Sequence, residues 1–310
     1  MEIGVVWRGE VGRALKSGRV IVLLVLFSLF TGLALTTVGW LVGKATEQAL
    51  SKAKEQGLDD EATQKLSIEA KKQFVSTVYS DNDEALTEVL LAIPVVLLIV
   101  FSFSMRFVPA FVALMGFDQI AGEVGPRSIR YLVVRTRRSS IMLGKLLAQF
   151  TVLGLLTLVA VGMMVAVARF TNADDFSMAA AALAFVKLWS ASMVLSVPYL
   201  ALTSLCSILF RQSAVSLVMN LILLVCIWFL AFVGEAFLLP GEKVPEAAAA
   251  VGVMRAESPV AYARYLSVFH FASDLLHPHW QRFGAAGLAH LGYAMVFLGL
   301  GFVVLRRRDL

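Results

Sequence analysis

The chain has 310 residues, 59% of them hydrophobic and 16% charged, with a formal net charge of +5. Soluble globular proteins are about half apolar and about a quarter charged, so this composition excludes a soluble enzyme and indicates an integral membrane protein. The positive charge is scattered among the segments between apolar runs, which suits membrane topology and not a nucleic-acid-binding face.

In chain order, the segment EIGVVWRGEVGRALKSGR comes first and interleaves Val5, Val6, Trp7, Val11 and Leu15 with Arg8, Arg13, Lys16 and Arg19. This pattern suits an amphipathic helix lying in the headgroup region; a basic tail is the other reading. Six apolar runs of spanning length follow, at about 20–43, 89–117, 141–168, 187–210, 212–236 and 283–305, each near the twenty residues a bilayer demands. The first is too long for a signal-peptide core and is followed by no A-x-A site, so it is expected to stay in the protein. Residues 44–88 are rich in Ala, Glu, Lys and Gln, good helix formers of low apolarity, and predict a solvated helical hairpin or helical extension of the first two spans. Before the last span, SPVAYARYLSVFHFASDLLHPHW is apolar but too short to cross, which predicts an interfacial or re-entrant helical segment. The expected fold class is therefore all-α integral membrane, one domain over 1–310 with six transmembrane helices.

Six spans place both ends of the chain on one side. The loops and flanks on that side carry fourteen Lys and Arg against five Asp and Glu, and those on the other side twelve against seventeen, with Arg106 inside the second span counted in neither. The Arg-dense loop between spans two and three and the Arg306–Arg308 run after the last span decide the orientation, with both termini cytoplasmic. The same loop, DQIAGEVGPRSIRYLVVRTRRSSIMLGK, holds five arginines, more than topology needs.

Motifs of chemistry are missing. GWLVGKAT, Gly39 to Thr46, lacks the spacing and hydroxyl of a phosphate loop, although Gly39 and Gly43 form a G-x-x-x-G that could be a helix contact face. No H-E-x-x-H, G-x-S-x-G or mid-span acidic pair occurs, so the chain is not expected to be an enzyme. His277 and His279, with His270, could be considered for a metal, but histidines around Pro278 at a membrane surface are read as interfacial and no metal site is assigned. Cys206 and Cys226 lie in apolar runs and are read as packing residues. Arg106 alone interrupts the second run. If that helix starts at Val89 the side chain lies near the inner interface and snorkels; if it lies deeper, it must face a partner or a water-filled path.

The loop after the second span resembles the membrane subunits of ABC-2 type exporters. Their D-x-I-x-G-E pattern, short helix, polar turn and I-x-L-G-K are matched by Asp118, Ile120, Gly122, Glu123, Arg138, Ile141, Leu143, Gly144 and Lys145. The amphipathic N-terminal segment, six spans and YLSVFHF, Tyr265 to Phe271, are similar to the permease branch of gliding-motility and multi-copper-enzyme maturation systems. The chain departs from the pattern at Arg127-Ser128 and Arg135-Thr136, where Gly-Thr and a turn proline are common. The resemblance implies a cytoplasmic coupling helix between spans two and three, with Glu123, Arg127, Arg130, Arg135, Arg137 and Arg138 as contacts to a separate ATP-binding cassette subunit in two copies. ATP and Mg would then reside on that partner, and this chain would hold no cofactor. It further implies a second permease chain, identical or paralogous, in the cytoplasmic membrane among lipid. The expected activity is export, with a path lined by the first, second and fifth spans and an amphipathic or lipid-like cargo. The alternative is a mechanotransmitting subunit of an envelope assembly acting through 44–88; a secondary transporter is disfavoured because no pair of Gly/Pro-broken spans recurs in the two halves.

Overall fold

A computed structural model describes residues 2–55, 65, 68–75, 84–124, 136–171, 176–236 and 265–307. Among them there is no strand, and six helices are long and apolar enough to cross a membrane. The elements are α1 (Glu2–Lys16), α2 (Gly18–Glu55), α3 (Glu84–Leu91), α4 (Val95–Gly116), α5 (Ala121–Val124), α6 (Arg138–Thr171), α7 (Met178–Leu209), α8 (Ser213–Ala236) and α9 (Trp280–Arg307). Short 3-10 turns at Val268–Phe271 and Ser273–Leu276 precede α9.

α7 is the hub, packing on α4, α6, α8 and α9. Its composition explains the position: small and hydroxyl residues let neighbouring helices approach closely, and Ser192, Ser196, Thr203, Ser204 and Ser207 are all buried. Ser192 and Ser196 stay satisfied there by donating to the carbonyls of Leu188 and Ser192, one turn back. Where α7 meets α9, Gly301 leaves room for Ile208; on α6, Gly154 lies against Met193. α8 is tied to α7 by the buried amide of Asn220, which donates to Thr203 Oγ1 at 2.8 Å. By contrast α2, α8 and α9 keep wide apolar faces exposed, such as Ile21, Val25 and Leu29 on α2 and Val218, Ile222 and Val225 on α8.

Two helix boundaries matter for function. The second apolar run is broken at Pro94, which lacks a backbone N–H and has ψ of 136°, so it cannot continue a helix from α3. The crossing helix therefore begins at Val95 instead of near Val89. The third begins at Arg138, which puts Lys145 about two turns inside α6 and not at its start. On the far side, α2 continues unbroken past Gly43 to Glu55, so its Ala, Glu and Lys-rich tail extends the helix. Gly39 and Gly43 meet no other part of this chain within 4 Å among the described residues. The YLSVFHF segment is held inward: Ser267 Oγ donates to the Ile227 carbonyl at 3.0 Å, and Phe269 lies 5.7 Å from the buried Tyr199 ring.

Candidate functional site

The two halves of the D-x-I-x-G-E and L-G-K pattern, far apart in the text of the loop, meet α1 at one place. α1 turns Ile3, Val6, Glu10 and Ala14 inward at three- and four-residue spacing and crosses α6 at Gly144. A Cβ on Gly144 would sit 2.7 Å from Val6 Cβ and 3.1 Å from the Ile3 carbonyl. Glycine is therefore required for the approach of the two helices, and the next residue, Lys145, is carried under α1.

Lys145 is 2% exposed and its ammonium donates to Glu10 Oε1 at 3.0 Å and Glu123 Oε1 at 2.9 Å. Arg13 donates to the same two oxygens at 3.2 Å each. Two cations and two carboxylates thus form a closed, neutral quartet that ties α1, α5 and α6 together. A buried lysine is tolerated only when paired in this way. The Arg13 contacts are weaker links, because its side chain is 66% exposed and solvent screens it. Beside the quartet lies a cavity of about 430 Å³ lined also by Asp118, Gln119 and Gln149.

The loop that carries Glu123 is anchored from above. Ser207 Oγ of α7 accepts the backbone N–H groups of Ile120 at 2.8 Å and Ala121 at 3.0 Å, and Ser204 Oγ donates to Gln119 Oε1 at 3.0 Å. Gly116, at the end of α4, is pressed against Gln149 and Thr203, leaving no space for a Cβ. Glu123 is consequently 16% exposed and turned into the protein.

At the start of α6, Glu2 accepts from the Arg137 backbone N–H at 3.3 Å and from Ser140 Oγ at 3.1 Å. These bonds, and the charge of Arg137, hold the Glu2 carboxyl below its ordinary value. Trp7 Nε1 donates to Thr151 Oγ1 further along α6. Arg138 is turned inward as well, donating to the carbonyls of Leu305 at 2.8 Å and Arg306 at 3.3 Å, where it caps the end of α9. The start of α1, the start of α6 and the end of α9 therefore lie on one face. Arg137 is exposed; Arg127, Arg130 and Arg135 lie outside the described residues, as does all of the expected coupling helix after α5.

Arg106 sits about 16 Å along α4 from Val95 and about 15 Å from Gly116, at the helix midpoint. It is exposed, and its guanidinium folds back on Ser102, 2.6 Å from Oγ. The side chain thus points toward the Val95 end of α4 and away from its Gly116 end. As for the histidines, His277 Nδ1 accepts the His279 backbone N–H at 3.0 Å and His270 packs edge-on to Tyr265 and Phe271. No cluster of three potential ligands occurs among the described residues.

Sequence reading singled out Glu123 but not its partners. Glu10 and Arg13 were legible only as an i, i+3 pair on an amphipathic helix, and nothing local says that the helix docks on Gly144. No individual curated protein matches the chain significantly. The family profile described as "ABC-2 family transporter protein" matches residues 5–310, which is nearly the whole chain and includes Glu10, Arg13, Glu123 and Lys145; the chain belongs to that family of ABC transporter membrane subunits.

Proposed function

We propose that the chain is the permease of an ABC exporter, in the branch similar to gliding-motility and multi-copper-enzyme maturation permeases, driven by two copies of a separate ATP-binding subunit. Family membership implies association with such a subunit. Export, both termini cytoplasmic, placement in the cytoplasmic membrane and pairing with a second permease chain are part of this reading. ATP and Mg reside on the partner, and this chain contributes no catalytic residue.

The observation that carries the proposal is the quartet. A docking loop transmits movement only if it is stiffly joined to the spans, and Glu123 links the loop to α6 through Lys145 and to α1 through Arg13. Glu123 then acts as the joint within the permease, and Arg127, Arg130 and Arg135, with the exposed Arg137, provide the surface that the ATP-binding subunit grips. Arg138 belongs to the permease interior in this reading, through its bonds to the end of α9.

A test is purification of the full chain from its native membrane in mild detergent, followed by cross-linking. A subunit with a G-x-x-x-x-G-K-[ST] loop should co-purify, and cysteine at Arg137 should cross-link to it while cysteine at Arg138 should not. Intact permease dimers free of any ATP-binding chain refute the reading. A second reading, force transmission to an envelope assembly, draws on the α2 helix, which runs about 18 Å beyond Gly43 before Glu55. It requires that shortening α2 after Gly43 abolish assembly, whereas an exporter retains its ATP-binding partner.

A further inference from the structure

Arg106 has no counter-charge among the described residues, at the middle of an apolar helix. There its guanidinium donates to the Ser102 hydroxyl and carbonyl on its own helix, both neutral acceptors. Phe103 and Phe107 beside it are 49% and 45% exposed, so the strip of α4 that bears it is open and otherwise apolar. Phe107 meets Phe30 of α2 at a centroid distance of 5.1 Å, which places the arginine at the edge of the α2–α4 contact. The remaining surroundings of α4 are α6, α7 and α8.

A guanidinium at that depth is costly unless an anion meets it, and this chain has none to offer. The apolar stretches 20–43, 95–117, 138–171, 178–209, 213–233 and 280–307 contain neither Asp nor Glu. A second copy facing this strip would bring another Arg106 or an uncharged surface, not a carboxylate. The apolar stretches of the chain and of an identical copy thus offer no carboxylate at this depth, which favours a non-protein anion. It must also be attached to something apolar, because Phe103 and Phe107 leave a hydrocarbon-like surface beside the charge, and α2, which Phe107 meets at Phe30, exposes Val25, Leu26 and Leu29.

We infer that Arg106 is the headgroup site for an anionic amphiphile, a phosphate or carboxylate carried on an acyl chain, which lies along the open α2–α4 surface. The fork of the guanidinium suits two oxygens of such a group, while Ser102 holds it pre-positioned. This inference rests on the permease reading for the role of the ligand as cargo, but not for its binding.

The test uses the full chain in nanodiscs of phosphatidylcholine with a minor fraction of phosphatidic acid, released into native mass spectrometry. The wild type should retain phosphatidic acid over phosphatidylcholine by at least ~10-fold, the ratio expected from one charge-assisted hydrogen bond in a dry site. Arg106→Gln should lose that preference, and Arg106→Lys should keep part of it. Arg306→Gln with Arg307→Gln, which removes cations at the inner face, should leave it intact. No preference in the wild type overturns the inference, and so does a preference that survives Arg106→Gln but disappears with the Arg306 and Arg307 substitutions. A monodisperse Arg106→Lys protein covers the case in which Arg106→Gln fails to fold. The ATP-binding complex in the same nanodiscs separates the two sources of the ligand: ATP hydrolysis accelerated by phosphatidic acid marks it as cargo, and retention without acceleration marks a resident lipid. Failure to recover an ATP-binding subunit sinks the export reading and leaves selective retention by the permease as a separate result.

Discussion

Replacing Lys145 with methionine keeps the length of the side chain and deletes its charge. At 3.0 and 2.9 Å, each contact is worth about 5–6 kcal/mol of gross Coulomb attraction at an effective dielectric near 20, most of it offset by the desolvation of a buried ammonium. Removing one partner of a fully buried pair costs about 3–5 kcal/mol. Here Glu10 and Glu123 are 20% and 16% exposed and Arg13 still neutralises one of them, so the expected loss is about 2–3 kcal/mol. Glu123→Gln alone should also destabilise, because it leaves the buried ammonium with Glu10 only. Combined with Lys145→Met, it restores a neutral Glu10–Arg13 pair, and the double variant should be more stable than the sum of the single losses predicts, by about 1–2 kcal/mol. Equilibrium unfolding of the purified full chain in mixed micelles measures all three. A Lys145→Met protein within ~0.5 kcal/mol of wild type, or strictly additive losses, refutes the claim that the quartet is a joint.

Two further outcomes follow from the docking of α1. Gly144→Val pushes carbon into Val6 and the Ile3 carbonyl, so α1 should lift from α6, with faster amide exchange over residues 3–14, whereas Gly154→Ala, facing only the flexible Met193 end, should leave α1 protected. The Glu2 carboxyl is held below its ordinary value by the Arg137 N–H and the Ser140 hydroxyl; its contribution is therefore full above the ordinary carboxylate range and is lost as pH falls through the lowered value. Protection of α1 should be flat from neutral pH down to about pH 5 and decline below about pH 4, and Glu2→Gln should abolish that pH dependence; a decline unchanged in Glu2→Gln would assign it to another group.

Much of the candidate site was legible as a motif and not as an arrangement. Asp118 to Glu123 and Leu143 to Lys145 stood out from their pattern, yet the reason for each residue lies in a third segment. Gly144 exists for Val6, and Lys145 for Glu10 and Glu123. Glu123 was expected as an outward contact from the family resemblance; its inward turn follows from Ser207 and Ser204 on α7 holding the loop. Arg138 looked like one of five equivalent arginines until the end of α9 was found beside it.

Composition and period were sufficient for what depends on single segments, six helices long and apolar enough to span and a helix ahead of them, because hydrocarbon imposes length and apolarity on each span separately. Depth and pairing are different in kind. Whether Arg106 lies near an interface or at mid-helix depended on where α4 begins, which Pro94 sets, and which charges neutralise Lys145 depended on three segments meeting at a glycine. Those are properties of helices placed against one another, and only the tertiary structure of the chain decides them.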